Sequence, residues 1–340
     1  MSIDRSNILT ADTIGIKHAV DVLRNGGLVG LPTETVYGLA ARAADPTAVA
    51  RIFATKGRPA DHPVIVHIGD IEQVSDWAVE VPDFAHTLMA LWPGPLTLVL
   101  RKRSDVSPAL TGGQDTIGLR LPSHPVALAV LRGLGEAIAA PSANRFGEVS
   151  PTTAEHVFQG LAESLNDGDV ILDGGPCSVG VESTIVDCTS SQPRILRPGA
   201  ISAETIAAVA GVDARADSVD APRVSGSLES HYAPSAKVVL VNTADEVQAT
   251  ADTYCVTHAI NHSRIGVMGV DLTHISATTG QPPLVPLLDA SDADTYAQGL
   301  YSALRAADAQ ELSAVIAVLP PTDGIGIAIR DRLMRAAAGR

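Results

Sequence analysis

At 340 residues, with 46% hydrophobic and 18% charged residues, the chain is long enough for two globular domains and too apolar to be disordered. Its net charge of −14 is shared by both halves, −8 over residues 1–215 and −6 over 216–340. That excludes a basic body gripping nucleic acid through its phosphates, so any anionic ligand has to be met by a local cluster of cations.

The first two-thirds alternates short β-rich runs with helical stretches. Gly27 to Leu31 reads as a strand. Asp45 caps a helix with Pro46 at its first position. Val64 to Ile68 is a strand, Asp83 to Leu91 a helix, and Leu96 to Leu100 and Thr116 to Leu121 are strands. Pro125 to Leu131 is helical, Ala137 to Ala140 a strand, and Thr152 or Thr153 caps the next helix. Val170 to Leu172, Thr184 to Asp187 and Arg194 to Leu196 complete a mixed α/β sheet. Gly211 to Ala236 is polar, carries Pro222, Gly226 and Pro234, and reads as a linker. The pattern then restarts: strand Lys237 to Val241, helix Ala244 to His258, strand Ile265 to Val270, helix Asp292 to Ala307, strand Ala314 to Leu319 and helix Gly326 to Ala338. That is a smaller α/β domain with parallel strands. No apolar run spans a membrane, and the opening MSIDRSNILTAD is neither a signal-peptide core nor a basic transit peptide. Cys177, Cys188 and Cys255 are an odd set without a CxxC pair, so the expectation is a cytoplasmic protein with neither a disulfide framework nor a zinc site.

Six motifs carry the chemistry. Lys56-Gly57-Arg58-Pro59 sets two cations at a helix-to-strand corner, where they suit phosphate or carboxylate oxygens. An ordinary C-terminal helix cap explains them too. Pro32-Thr33-Glu34-Thr35-Val36-Tyr37-Gly38-Leu39 clusters polar groups after the first strand, as a binding loop or as a stretch in which Thr33 or Thr35 caps a short helix. His62 and His67 flank the apolar run that follows Arg58. Ala140-Pro141-Ser142-Ala143-Asn144, with Ser150-Pro151-Thr152, is a turn whose backbone amides suit an anion. Gly180-Val181-Glu182-Ser183-Thr184 heads a strand that Arg197-Pro198-Gly199 follows, and a hairpin would bring Ser183 and Arg197 together. Arg120, inside an apolar strand, needs an anionic partner if buried. Catalytic metal spacing and a GxSxG elbow are both missing from the sequence.

In this order the segments PTETVYGL, KGRP, HPVIVH, WPGPLT, TIGLRLP, APSAN, SPT, GVESTIVD and LRPGAIS resemble the YrdC-like family in its two-domain L-threonylcarbamoyladenylate synthase form. HYAP (His231 to Pro234) resembles that family's linker motif. The resemblance implies a YrdC-like twisted mixed sheet with helices over residues 1–211, a linker or lid over 212–236, and a smaller Rossmann-like domain over 237–340. It implies that L-threonine, bicarbonate or carbon dioxide, and ATP give threonylcarbamoyl-AMP and pyrophosphate, for later transfer to tRNA by separate machinery. The tRNA contact is then indirect, and no membrane is involved. Carried over position by position, Lys56 and Arg58 act in catalysis, and Thr35, His67, Arg120, Ala140 and Ser183 bind threonine. Arg58, His62, Thr116, Ser142, Asn144, Ser150, Arg197 and Tyr232 face ATP, with Tyr232 folding over the site. Magnesium arrives on the ATP, and no organic cofactor or protein-held metal is expected. His62 stands where many members carry asparagine, and SGSLES before His231 lacks the basic residues expected there. An RNA-binding module, a carbamoyl-transfer maturation factor and a plain nucleotide hydrolase are the alternatives. The acidic balance opposes the first, and the lack of CxxC repeats and of an acylphosphatase segment opposes the second.

Overall fold

The computed structural model describes residues 2–214, 221–226, 232–273 and 282–339. The chain divides into two compact units. One comprises Met1–Phe146, Ser150–Ser178 and Glu182–Ser227, the other Gly147–Val149, Val179–Val181 and Leu228–Arg340.

In the first unit the strands are β1 (Ile8–Thr10), β2 (Val29–Leu31), β3 (Gly38–Arg42), β4 (Ile65–His67), β5 (Ala78–Val79), β6 (Leu96–Lys102), β7 (Thr116–Arg120), β8 (Ile138–Ala139), β9 (Val170–Asp173), β10 (Thr184–Asp187) and β11 (Arg194–Arg197). They form one mixed sheet in the order β1-β9-β2-β3-β8-β4-β7-β6-β10-β11, with β5 paired to β6. Alternation along the central strands decides where the site lies. Val66, Leu98, Leu100, Ile117, Leu119 and Val186 point into the main core. Their neighbours point to the other face. There the register sets one cross-strand row. His67 pairs with Arg120, Thr97 follows the Leu98–Leu119 pair, Thr97 pairs with Ile185, and Ile185 pairs with Arg197.

Helix Pro46–Lys56 shows why the KGRP corner forms. Asp45 accepts from the amides of Thr47 and Ala48, and Pro46 occupies the first turn. Gly57 ends the helix at φ 61°, a left-handed conformation that glycine adopts without strain. The chain then turns back as the Arg58 amide donates to Phe53 O at 2.9 Å. At the other cationic corner a Cβ on Gly199 would sit 2.3 Å from the Thr184 amide nitrogen, so only glycine lets the chain after Arg197 pass the Ser183 backbone.

Several elements lie beyond those expected from sequence: β1, β3, helix Thr13–Arg24 and helix Ala203–Ala210. Helix Thr13–Arg24 is capped by Asp12 and buries Ala19, Val20, Val22 and Leu23. Thr33 caps no helix. Its hydroxyl instead accepts from the amides of Thr35 and Val36, closing a polar turn ahead of β3.

In the second unit β12 (Lys237–Val241), β13 (Ile265–Val270), β14 (Val285–Ala290) and β15 (Ala314–Val318) run parallel in the order β12-β15-β13-β14. β14 is a further strand that the sequence reading lacks. Helix Ala293–Ala309, capped by Asp292, buries Tyr296, Ala297, Leu300, Tyr301 and Leu304 along one stripe. No helix among the described residues is long and apolar enough to cross a membrane.

Candidate functional site

The cross-strand row ends in two polar groups joined through Thr97. The first is built on Arg120. Its Nη1 donates to Thr35 Oγ1 at 2.9 Å and its Nη2 to Glu34 Oε1 at 2.6 Å, with both ion-pair partners buried. Burial alone would raise the Glu34 carboxyl, but the Arg120 guanidinium outweighs it and holds the group below its ordinary value. His67 is fully enclosed. Burial first, and Arg120 second, push its imidazole down to about 3, so it is neutral at physiological pH. Among the described residues Glu34 Oε2, His67 Nδ1 and Arg120 Nε are buried without hydrogen-bond partners. Cys177 belongs to the same cluster, and burial together with the Glu34 charge pushes its thiol up, leaving it protonated.

The second group is built on Arg58 and Arg197. Arg197 donates from Nε and Nη2 to Ser183 O at 3.1 and 2.9 Å, and from Nη2 to Ser183 Oγ at 3.1 Å. Ser183 Oγ lies 2.8 Å from Thr97 Oγ1, which ties this group to the Arg120 cluster. Ser225 then joins the two arginines: its carbonyl accepts from Arg197 Nη1 at 2.9 Å and its hydroxyl from Arg58 Nη2 at 3.3 Å. Ser225 belongs to the segment Ala221 to Gly226, whose Val224 packs on Val99 and Ile185. Beneath it a cleft of about 20 Å³ is lined by Pro63, Ile65, Thr97, Thr116, Gly118 and Ser225 among others.

Lys56 sits beside this group. Its Nζ donates to the carbonyls of Ser142 and Asn144, 2.5 Å to each, and so fixes the APSAN turn. The Phe146 amide closes the turn on Lys56 O at 2.8 Å. Phe146 carries Arg58 Cζ over its ring at 5.6 Å and meets His62 edge-on at 5.3 Å. Burial and Arg58 both lower the His62 pKa. Ser150 donates to Glu182 Oε1 at 2.7 Å, both side chains being buried. Ala140 is held by its amide on Ile65 O at 3.1 Å.

Thr35, His67, Arg120 and Ser183 thus fall in one connected cluster, and Arg58, Thr116 and Arg197 adjoin it. Lys56, Ser142, Asn144 and His62 gather around Phe146. Tyr232 is buried in the second unit, stacked on Tyr301 at 5.5 Å with Arg332 Cζ 5.4 Å from its ring. His231 and the 215–220 and 227–230 parts of the linker lie outside the described residues. Sequence reasoning did not single out Glu34, Thr97 or Ser225. Glu34 and Thr97 stood inside quoted motifs, and their value shows only when register sets them beside Arg120 and Ser183. No group of three or more His, Cys, Asp or Glu among the described residues is placed to hold a metal ion.

His67 predicts an acid sensitivity. In the unfolded chain a histidine protonates near ~6.5. The folded value is about 3. Between these values the unfolded state binds the extra proton, so stability is whole above pH ~6.5 and falls as pH drops toward 3. His62 and His124, also lowered, add slopes of the same sign. We expect His67→Gln to lose less denaturation midpoint than wild type between pH 7 and 5. Parallel curves would mean that His67 is not held neutral.

A family model described as telomere recombination matches residues 21–199, and one described as threonylcarbamoyl-AMP synthase, C-terminal domain, matches residues 201–338. The threonylcarbamoyl-AMP synthase of Bacillus subtilis is 40% identical over 99% of this chain and 97% of its own length. The chain belongs to the threonylcarbamoyl-AMP synthase family. The family's Pyrococcus abyssi enzyme is 39% identical over 96% of this chain and 94% of its own length. A crystal structure of Pyrococcus abyssi Sua5 complexed with L-threonine superposes with a TM-score of 0.85 at 37% identity, covering 97% of each chain. The two-domain YrdC-like architecture expected from the motifs is therefore the family's own.

Proposed function

We propose that this chain condenses L-threonine, bicarbonate or carbon dioxide, and ATP into L-threonylcarbamoyl-AMP and pyrophosphate, the activated group then passing to tRNA through separate machinery. The observation that carries this reading is the row on one sheet face, in which His67, Arg120 and Thr97 lead to Ile185 and Arg197. It sets the Arg120 cluster next to cations suited to phosphate.

Arg120, through its Nε and beside the Thr35 hydroxyl, suits the amino-acid carboxylate. The amine captures the one-carbon unit as a carbamate. The carbamate attacks the α-phosphorus, and pyrophosphate leaves. Two anions must approach each other, so Arg58 and Arg197 offset their repulsion and the charge that develops. Lys56 anchors the Ser142–Asn144 turn by its carbonyls, and the backbone amides of that turn suit the phosphates. Magnesium enters as part of the ATP substrate. Holding three reactants in one place supplies much of the rate.

Mass spectrometry of the purified chain with ATP, L-threonine and bicarbonate tests the reading. The adenylate mass and pyrophosphate are expected only when all three are present. ATP hydrolysis that ignores threonine would instead mark a hydrolase. Salt-dependent RNA binding without turnover would mark a binding module.

A further inference from the structure

We propose that Glu34 is a further catalytic residue, whose Oε2 receives the ammonium group of bound threonine and takes the proton that must leave before the nitrogen attacks carbon. This rests on the reaction proposed above and supplies the base that it lacks.

The Glu34 side chain is buried, with Oε1 on Arg120 at 2.6 Å. Oε2 is also buried and accepts no hydrogen bond among the described residues, although the amides of Glu34 and Ser123 lie near enough to favour its charge. Leaving a buried polar atom unsatisfied is costly, so such atoms call for an explanation, and a ligand that binds against them supplies one. Here three such atoms share one cluster: an anionic acceptor in Glu34 Oε2, a cationic donor in Arg120 Nε and a neutral imidazole nitrogen in His67 Nδ1. An ammonium, a carboxylate and a hydroxyl are their complements, and threonine carries all three.

The arrangement also explains when the base becomes competent. Facing Glu34 are Arg120 from β7, His67 from β4, His124 at the head of helix Pro125–Leu134, and Cys177 after β9. The last three are neutral near pH 7, so the guanidinium decides. Alone with Arg120, Glu34 stays ionised despite its burial. Once a substrate carboxylate shares Arg120, that hold weakens and Glu34 becomes more basic. The ammonium proton then passes to Oε2. The freed lone pair forms the N–C bond to carbon dioxide, the π electrons of one C=O bond move onto oxygen, and the second N–H proton leaves the adduct to water. The product is the carbamate.

The test compares L-threonine with 2,3-dihydroxybutanoate, in which a hydroxyl replaces the ammonium group, by calorimetric titration of the full chain. Wild type is expected to bind threonine about 100-fold tighter, the size of one buried charge-assisted contact. In Glu34→Gln that preference shrinks to a few-fold. Its kcat falls about 100-fold, and its rate climbs with pH through the amine's own ionisation where wild type levels off. Glu34→Asp keeps the preference at a reduced rate. If Glu34→Gln does not fold, the wild-type ligand pair and Glu34→Asp decide. Wild type binding both ligands within threefold overturns the proposal, as does Glu34→Gln turning over at the wild-type rate with an unchanged pH profile. Threonine binding without any adenylate would instead sink the reaction and leave the ammonium pocket standing.

Discussion

Arg120→Ala is expected to cost both fold and function. Its partner Glu34 is buried, so removing the guanidinium strands a carboxylate out of water, a change worth about 3–5 kcal/mol. For a unit of this size that corresponds to a fall in Tm of roughly 10 °C. Threonine-dependent turnover should fall about a thousandfold, because two interactions of about 2 kcal/mol each are lost with the fork. Two further variants separate the effects. Arg120→Ala combined with Glu34→Gln should recover most of the stability and none of the activity. Arg120→Lys keeps the charge without the planar fork, so it should hold stability better than rate. Wild-type stability in Arg120→Ala alone would mean that the pair is not the enclosed charge balance described here.

Arg58→Ala is expected to lower adenylate formation on the order of 10²-fold, the usual consequence of removing one preorganised electrostatic stabiliser. Arg58 is a strong choice because it links three features: the helix end, the Phe146 ring and Ser225. Pyrophosphate release under saturating threonine reads the effect directly. The described hydrogen bonds of Arg58 end on Pro63 O and the Ser225 hydroxyl. Undiminished turnover would remove Arg58 from the catalytic set.

Much of this was legible in the sequence because the central strands advertise their two faces. In Thr116-Ile117-Gly118-Leu119-Arg120 the apolar members enter the core, and a charged residue at the strand's end marks the opposite face. The helix before Lys56 announced itself through Asp45, Pro46 and Gly57. By contrast β3, Gly38-Leu39-Ala40-Ala41-Arg42, has no β-branched residue and gave no strand signal. Its small residues serve close packing instead, since a Cβ on Gly38 would lie 3.1 Å from the Ala140 Cβ. The Glu34–Arg120 pair spans 86 positions, and local spacing carries no sign of it. Ser225 was hidden for a similar reason: its worth depends on where a polar linker comes to rest.

That resting place has a consequence for affinity. With Ser225 on both Arg58 and Arg197, the protein already sets its own oxygen atoms against both cations. On the proposed assignment of Arg58 and Arg197 to ATP, nucleotide entry is an exchange with a tethered competitor, and the apparent dissociation constant scales inversely with the fraction of molecules in which the tether has let go.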